Sequence, residues 1–555
     1  MALLVLPLRP ALAQTDPEGR GHTSHMVSDT GAAGWRVPPM ETSMPMLPPL
    51  MRLRPSVTPF LPGAGVDVAS LSEARPGRIV DLADGDTLAL EASLVRRTIR
   101  GRTYVMYAFN GQHPGPLIRV SQGAEIVVEF TNRIDLPTSV HWHGVRVENR
   151  YDGVPGVTQE PVQPGGRFIY RVRFKDAGIY WYHPHHREDI QQDLGLYGNM
   201  FVRPAAADYY GPANREEFLV LDDLLIDDAG LYPFGEEAAT HTLMGRFGNV
   251  FLVNGEPDFG LEAKRGEVVR FFLTNVSNTR VFNLSFEGAR MKVVGADIGK
   301  FERERWVSSV VLAPAQRYVV DVRFEGEGSV ALTNRIQAID HYLATFEPRV
   351  DTLAVVAVSD EAAAEDHAGA FEILRENADV ISEVDGYREH VDRAPDYELE
   401  LTLRVGDLPL TIKQMMQLDT LYFPPVEWND AMPMMNYVAS SREVTWVLRD
   451  QGSGAENMEI DWRFQVGDVV KIRLHNDIRA LHPMQHPMHF HGQRLLVLAQ
   501  DGVANDNLVW KDTVLLPTGG TTDILLELSN PGRWMAHCHI AEHLEAGMKM
   551  VFQVE

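Results

Sequence analysis

The apolar positions of this chain fall in short bursts, not in long or helical stretches. Runs such as VVEFTN, FIYRVRF and LLVLAQDG, rich in Val, Ile, Phe and Tyr, are separated by Gly, Pro, Asn or Asp. That spacing predicts antiparallel strands of a sandwich or barrel, because β-branched and aromatic side chains suit a pleated surface and the separators favour turns. The pattern also repeats. Gly123-AEIVVEF-Thr131-Asn132 recurs as Gly266-EVVRFFL-Thr274-Asn275 and again as Gly467-DVVKIRL-His475-Asn476. An Asn-Gly turn precedes the first copy (Asn110-Gly111) and the second (Asn254-Gly255). Three copies of one strand-turn unit imply three related all-β domains, placed at 66–205, 206–358 and 396–555.

The stretches outside these units read differently. Residues 14–65 are rich in Pro, Gly and Met (Met26, Met40, Met44, Met46, Met51) without periodicity. Proline denies them helix and central-strand hydrogen bonds, so an extended linker is expected. Residues 359–395 are acidic and Ala/Glu-rich, which predicts a helical or loosely ordered connector. Residues 1–13 form an apolar run ending in Ala11-Leu12-Ala13, a small-x-small pattern like those cut after export signals. A truncated signal peptide, with export to the periplasm or beyond, is the expectation.

Composition narrows the classes. At 555 residues, with 45% apolar and 23% charged positions, the chain is an ordinary globular protein and not a disordered one. A net charge of −25 argues against nucleic-acid binding, which needs a basic face. No run of 18 apolar residues is present, so no membrane span is expected. A single cysteine excludes an internal disulfide framework and any site built from several thiolates.

Histidine changes the picture most. Ten of the 20 lie in four clusters: His141-Trp-His143, His183-Pro-His185, His486-Pro-Met-His489-Phe-His491 and His537-Cys538-His539-Ile-Ala-Glu-His543. Four His-x-His pairs occur where random placement gives roughly 0.7. Side chains on a strand alternate faces, so both histidines of a pair point the same way. Eight imidazoles meeting at one interface could hold a multinuclear metal cluster. Cys538, between two of them, points to the opposite face, where His486, His543 and Met548 could join it. Two His, one Cys and a weak axial Met form a blue-copper ligand set. The only cysteine would then tie one copper to the other site.

With these motifs the chain resembles the multicopper oxidases, which include laccases and copper-tolerance metallo-oxidases. The resemblance covers about residues 75–555, and HCHIAEHLEAGM is its most specific signature. It implies three cupredoxin-like Greek-key β-sandwich or barrel domains and four copper ions. By position, type 1 copper would take His486, Cys538, His543 and Met548. Type 2 would take His141 and His489. The type 3 pair would take His143, His183, His185, His491, His537 and His539. Aligning HFHGQRLLVLAQD (489–501) on SFEGARMKVVGAD (285–297) puts Ser285 and Glu287 where His489 and His491 stand. The middle domain is therefore expected to keep the fold without the ligands.

Asp152, nine residues after His143, stands where the family carries an acidic residue that helps protonate reduced oxygen. Some metallo-oxidases carry Glu directly after the last ligand His; here Leu544 stands there, followed by Glu545. His186 and His482 match no ligand position. Soft thioethers suit Cu(I), and Met432, Met434, Met435, Met484, Met488 and the 26–51 stretch are candidates. Met484 in particular could stand at the electron-entry edge of the type 1 site. The expected activity is laccase-like: one-electron oxidation of phenols or anilines coupled to four-electron reduction of O2 to water. Cuprous-ion oxidation is the alternative within the class, and a non-catalytic copper-binding or electron-transfer protein is the rival outside it.

Overall fold

The computed structural model describes residues 59–235, 238–340, 345–406, 426–428 and 444–555. The expected signal segment, most of the Met-rich linker, and Met432, Met434 and Met435 lie outside them. The described strands form six sheets, in three pairs along the chain. The first pair draws on strands from Ile79–Asp81 to Gly198–Arg203, the second on Arg215–Leu224 to Thr345–Ala362, and the third on Tyr397–Val405 to Lys549–Val554.

The repeated sequence unit is the same structural strand three times: Glu125–Arg133, Val268–Asn275 and Val469–Asn476. Each is central in its sheet. Each pairs antiparallel with a later strand, namely Arg167–Arg173, Arg317–Arg323 or Thr521–Glu527. On the other side each pairs parallel with the strand that opens its sheet in chain order: Thr87–Ile99, Arg215–Leu224 or Tyr397–Val405. The all-antiparallel expectation is thus corrected to mixed sheets. A Greek-key chain leaves for the facing sheet between the two strands and returns in the same direction.

The Asn that ends each unit explains why the unit repeats. Asn132 Nδ2 donates to the carbonyls of Leu136 and Val162, Asn275 Nδ2 to those of Arg280 and Leu312, and Asn476 Nδ2 to those of Met484 and Pro517. All three side chains are buried. Each ties the loop after its strand to a second segment, and so fixes where the next strand starts. In the first and third units that next strand carries histidines: His141–His143 and His486–Phe490.

An apolar core fills each of the three sheet pairs, and the first runs on into residues of the second and third units. The acidic segment after 362 is a packed strap. Its helix Ala378–Asp385 buries Val380 and Val384 in a core shared with Leu496, Leu498 and Trp510. Lys300 Nζ lies 2.9 Å from Asp379, and Arg494 Nη1 lies 2.8 Å from Glu383, so the strap joins the second and third sheet pairs.

Candidate metal centre

Two strand pairings bring the histidine motifs together. Strand His141–His143 pairs antiparallel with Gly178–His183, in register His141↔His183. Strand His486–Phe490 pairs with Gly532–Cys538, in register Met488↔Cys538 and His489↔His537. The two ligand sheets face each other, and His143 stacks on His489 at 3.8 Å between ring centres. All eight imidazoles of the four pairs are buried, with none more than 8% exposed.

Hydrogen bonding decides which nitrogen each ring turns inward. His491 Nδ1 lies 2.9 Å from Asp152 Oδ2 and His537 Nδ1 2.9 Å from the Cys538 carbonyl, while Glu188 Oε1 lies 3.1 Å from His185 Nδ1 without hydrogen-bond geometry. For His491 and His537 the acceptors at Nδ1 place the proton there and leave a lone pair on Nε2. Those atoms converge: His491 Nε2 is 3.0 Å from His537 Nε2 and 3.3 Å from His185 Nε2. With both rings neutral, the lone pairs of His491 and His537 repel at that distance unless a cation sits between them.

A second trio, His143, His183 and His539, shows the same need. His143 Nδ1, His183 Nε2 and both nitrogens of His539 are buried without hydrogen-bond partners; their ring centres lie 5.0–5.7 Å apart. His141 and His489 each give Nδ1 to a backbone carbonyl, of Asp152 and Asp512 respectively, and each keeps a buried, unpartnered Nε2. An unsatisfied buried polar atom costs about 1–3 kcal/mol, so this many in one shell marks a binding site for an electrophile. Burial pushes His143, His183, His185, His489, His491 and His539 well below the ordinary imidazole pKa, and His537 to about 3. Neutral imidazole is the form that binds a metal.

The opposite face of strand Gly532–Cys538 holds the other cluster. Cys538 Sγ lies 3.6 Å from His486 Nδ1 and 3.8 Å from His543 Nδ1, and the two nitrogens are 3.3 Å apart. Metal–ligand bonds of about 2.0–2.3 Å in one plane place three ligands roughly 3.5–4 Å apart, so this triangle suits a single ion. Burial drives the Cys538 thiol above its ordinary pKa, and a bound metal ion would displace that proton. Met548 is fully buried beside it: Cys538 N donates to the Met548 carbonyl, and Met548 N donates to that of His543. Trp446 stacks on His543 at 4.1 Å, and His543 Nε2 lies 3.3 Å from the Leu243 carbonyl.

Asp152, which the sequence reading singled out, is fully buried and joins both ligand sheets, through its carbonyl to His141 and its carboxylate to His491. Leu544 packs with Val154 and Met535, so an apolar side chain occupies the position of the missing Glu. Glu545 ends helix Ala541–Glu545 and is exposed. His186 is half-buried and His482 buried. Met484 is only 4% exposed and sits in the third core with Met488; it does not reach the surface as an electron-entry residue would.

Sequence reasoning missed Asp512, Arg317, Glu188 and Trp446. Asp512 had a faint signal, as a charge beside Lys511 in the otherwise apolar run LVWKDTVLL. Arg317 had none, because it comes from the middle unit.

Three family models, each described as multicopper oxidase, match residues 92–207, 207–344 and 425–555. The chain belongs to the multicopper oxidase family and is a copper-dependent, laccase-like oxidoreductase. It is 27% identical over 515 residues to multicopper oxidase MmcO of Mycobacterium tuberculosis, across 87% of this chain and 89% of that one. It is 26% identical to laccase-2 of Botryotinia fuckeliana, across 84% and 81%. Among solved structures, a multicopper oxidase of Pseudomonas thermotolerans superposes with a TM-score of 0.61 at 25% identity, covering 86% of this chain and all of that one. A Campylobacter jejuni multicopper oxidase described as a metallo-oxidase gives a TM-score of 0.65 over 91% and 99%; at 21% identity it speaks for the fold alone.

Proposed function

We propose that the two clusters hold four coppers. Type 1 copper would be held by His486, Cys538, His543 and Met548, and type 2 by His141 and His489. The type 3 pair would be held by one trio of His143, His183 and His539 and another of His185, His491 and His537. The convergence of three buried Nε2 atoms in the last trio carries this reading, since with neutral rings and the Nδ1 protons of His491 and His537 held by Asp152 and the Cys538 carbonyl, two lone pairs face each other. Copper in these sites would supply one-electron acceptance from a reducing substrate and reduction of O2 to water.

The chain's own groups set how that chemistry is served. Cys538 is bonded in sequence to His537 and His539, so the two sites share the shortest covalent path the backbone allows. Asp152 Oδ1 is buried without a hydrogen bond, 3.3 Å from His141 Nδ1. It is the atom we assign to carry protons toward the eight-histidine site. Leu243, Met244 and Trp446 wall the type 1 cluster on the side of helix Ala238–Met244, and the type 1 histidines are nearly inaccessible. A substrate must therefore pass electrons through a covering layer, which suits oxidation of small organic reductants without binding at the metal.

Phenols or anilines are the first choice of substrate and Cu(I) the second. Burial of Met484 removes one of the thioethers that favoured the second. No helix among the described residues is long and apolar enough to cross a membrane, and the N-terminal Ala-Leu-Ala pattern supports a periplasmic or secreted protein. The test is oxygen consumption by the copper-loaded chain with a panel of phenols and, separately, with Cu(I). Phenol turnover without added Cu²⁺ supports the laccase-like reading. Turnover that requires added Cu²⁺, with fast Cu(I) oxidation, replaces it with the metallo-oxidase.

A further inference from the structure

Two aspartates latch the eight-histidine site crosswise. Asp152, in the first sheet pair, gives its carbonyl to His141 and its carboxylate to His491 of the third. Asp512, in the third, gives its carbonyl to His489 and accepts on Oδ1 from His143 Nε2 of the first, at 3.0 Å. The two differ in what stands behind them. The ion-pair partners of Asp152 are the two histidines themselves. Asp512 is gripped by Arg317, whose Nη1 and Nη2 donate to Oδ1 and Oδ2 at 2.7 and 2.6 Å.

Arg317 belongs to the ligand-free middle unit, yet its guanidinium touches all three. Nε donates to the carbonyl of Ile179, on the strand that bears His183, and Nη1 also donates to Ala315 O. Its backbone N–H donates to Asp297, which lies 2.9 Å from Lys511 Nζ. Arg317, Asp297 and Asp512 are fully buried. The fork is also wedged against the first ligand motif. A Cβ on Gly144, which follows His143 at φ +81°, would come within 2.3 Å of Asp512 Oδ2 and 2.9 Å of Arg317 Nη2. The positive φ and the ion pair packed over it both favour glycine at this position of His-Trp-His-Gly.

We propose that Arg317 is a positioning residue of the eight-histidine site: through Asp512 it holds His143 with Nε2–H donated outward and Nδ1 turned to the metal. The inference rests on the copper reading above. The middle unit then has a task beyond spacing the other two. It supplies the rigid cation that fixes a carboxylate against a ligand ring. Partners of this kind orient a metal-binding histidine and fix its tautomer. Lysine cannot replace the arginine, since a point charge lacks the planar fork that holds both carboxylate oxygens while reaching Ile179.

The experiment compares copper-loaded wild type, Arg317→Lys and Arg270→Lys. Arg270 is the control, because it makes a similar buried bidentate pair with Asp321 in the same sheet, with Gly211 and Tyr210 as its other neighbours. The readouts are copper retained against graded chelator, the blue absorption of type 1, the near-ultraviolet absorption of the type 3 pair, and thermal unfolding. Arg317→Lys should give up type 3 copper at roughly 10–100-fold weaker chelation than wild type, with the blue band retained. Arg270→Lys should lower the unfolding temperature comparably and leave the type 3 signal in place. Should Arg317→Lys fail to fold, the double variant Arg317→Met with Asp512→Asn takes its place with the same expectation. It strands no charge and leaves His143 an oxygen acceptor. Equal type 3 behaviour of the Arg317 and Arg270 variants overturns the proposal alone. A wild type with a blue band but no type 3 absorption overturns the copper reading and the proposal with it.

Discussion

The third unit and the middle unit place the same strands in the same order, and the register shows what each does with one position. Strand His486–Phe490 lies between Thr513–Leu516 and Gly532–Cys538, as Phe282–Phe286 lies between Val310–Leu312 and Gly328–Asp340. Met488↔Cys538 and His489↔His537 in one correspond to Leu284↔Asn334 and Ser285↔Thr333 in the other. The counterparts of His491, His537 and His539 are therefore Glu287, Thr333 and Arg335. Glu287 and Arg335 form a part-exposed ion pair over buried Thr333: Arg335 Nη2 donates to Glu287 Oε2 at 2.6 Å and Thr333 donates to Oε1. Asn334, where Cys538 would be, is fully buried and accepts from Asn283 N. One face of one fold is a metal shell where a second sheet covers it, and a salt bridge where it meets water. The lesson is that this strand pair offers a cluster of convergent side chains, and burial decides whether they become ligands.

The largest break in the comparison is Cys538→Ser. It should abolish the blue absorption and bring substrate oxidation to near background, with the type 2 and type 3 coppers still bound through histidine. Absorption spectra and copper content check it, and a surviving blue band would remove the type 1 assignment.

Asp152→Asn comes next. No proposed ligand changes, so copper should stay while turnover falls by about 10²–10⁴-fold. Full copper with unchanged turnover would reduce Asp152 to a latch between sheets.

Met484→Leu is a nearly volume-conserving change in the third core, worth less than about 1.5 kcal/mol of stability. Phenol oxidation should drop only modestly, both in this variant and after deletion of residues 14–60. A steep loss of Cu(I) oxidation in either would instead point to thioether delivery of copper.

The smallest effect belongs to the middle unit. Thr333 and then Arg335 hold Glu287 below the ordinary carboxylate pKa. A lowered folded-state value means the stabilisation is present above the unfolded pKa and is lost as pH falls through the folded one. Glu287→Gln should thus cost roughly 0.2–1 kcal/mol at neutral pH, and the difference in unfolding temperature should vanish on acidification. Copper content should not move.

The proposed ligands were legible in the sequence because the members of each pair sit two residues apart on a strand or across its end: His141 and His143 share one strand, while His183, His489 and His537 lie on strands and their partners just beyond. The fold class was legible for a related reason. The strand-turn unit recurs with its terminal Asn, and that side chain does the same local work three times. Even Glu287 in place of His491 could be read from the aligned repeats. Parallel pairing of the strands that open each sheet could not be read, since a strand's own pattern carries no direction.

What only the tertiary structure decided is which nitrogen of each ring faces inward, and what holds it there. His143 meets Asp512 across 369 positions, and Arg317 meets Asp512 across 195 and Ile179 across 138. No periodicity links residues so far apart. They are joined by the packing of three sheet pairs around one buried shell, where every polar atom must find a partner or a metal.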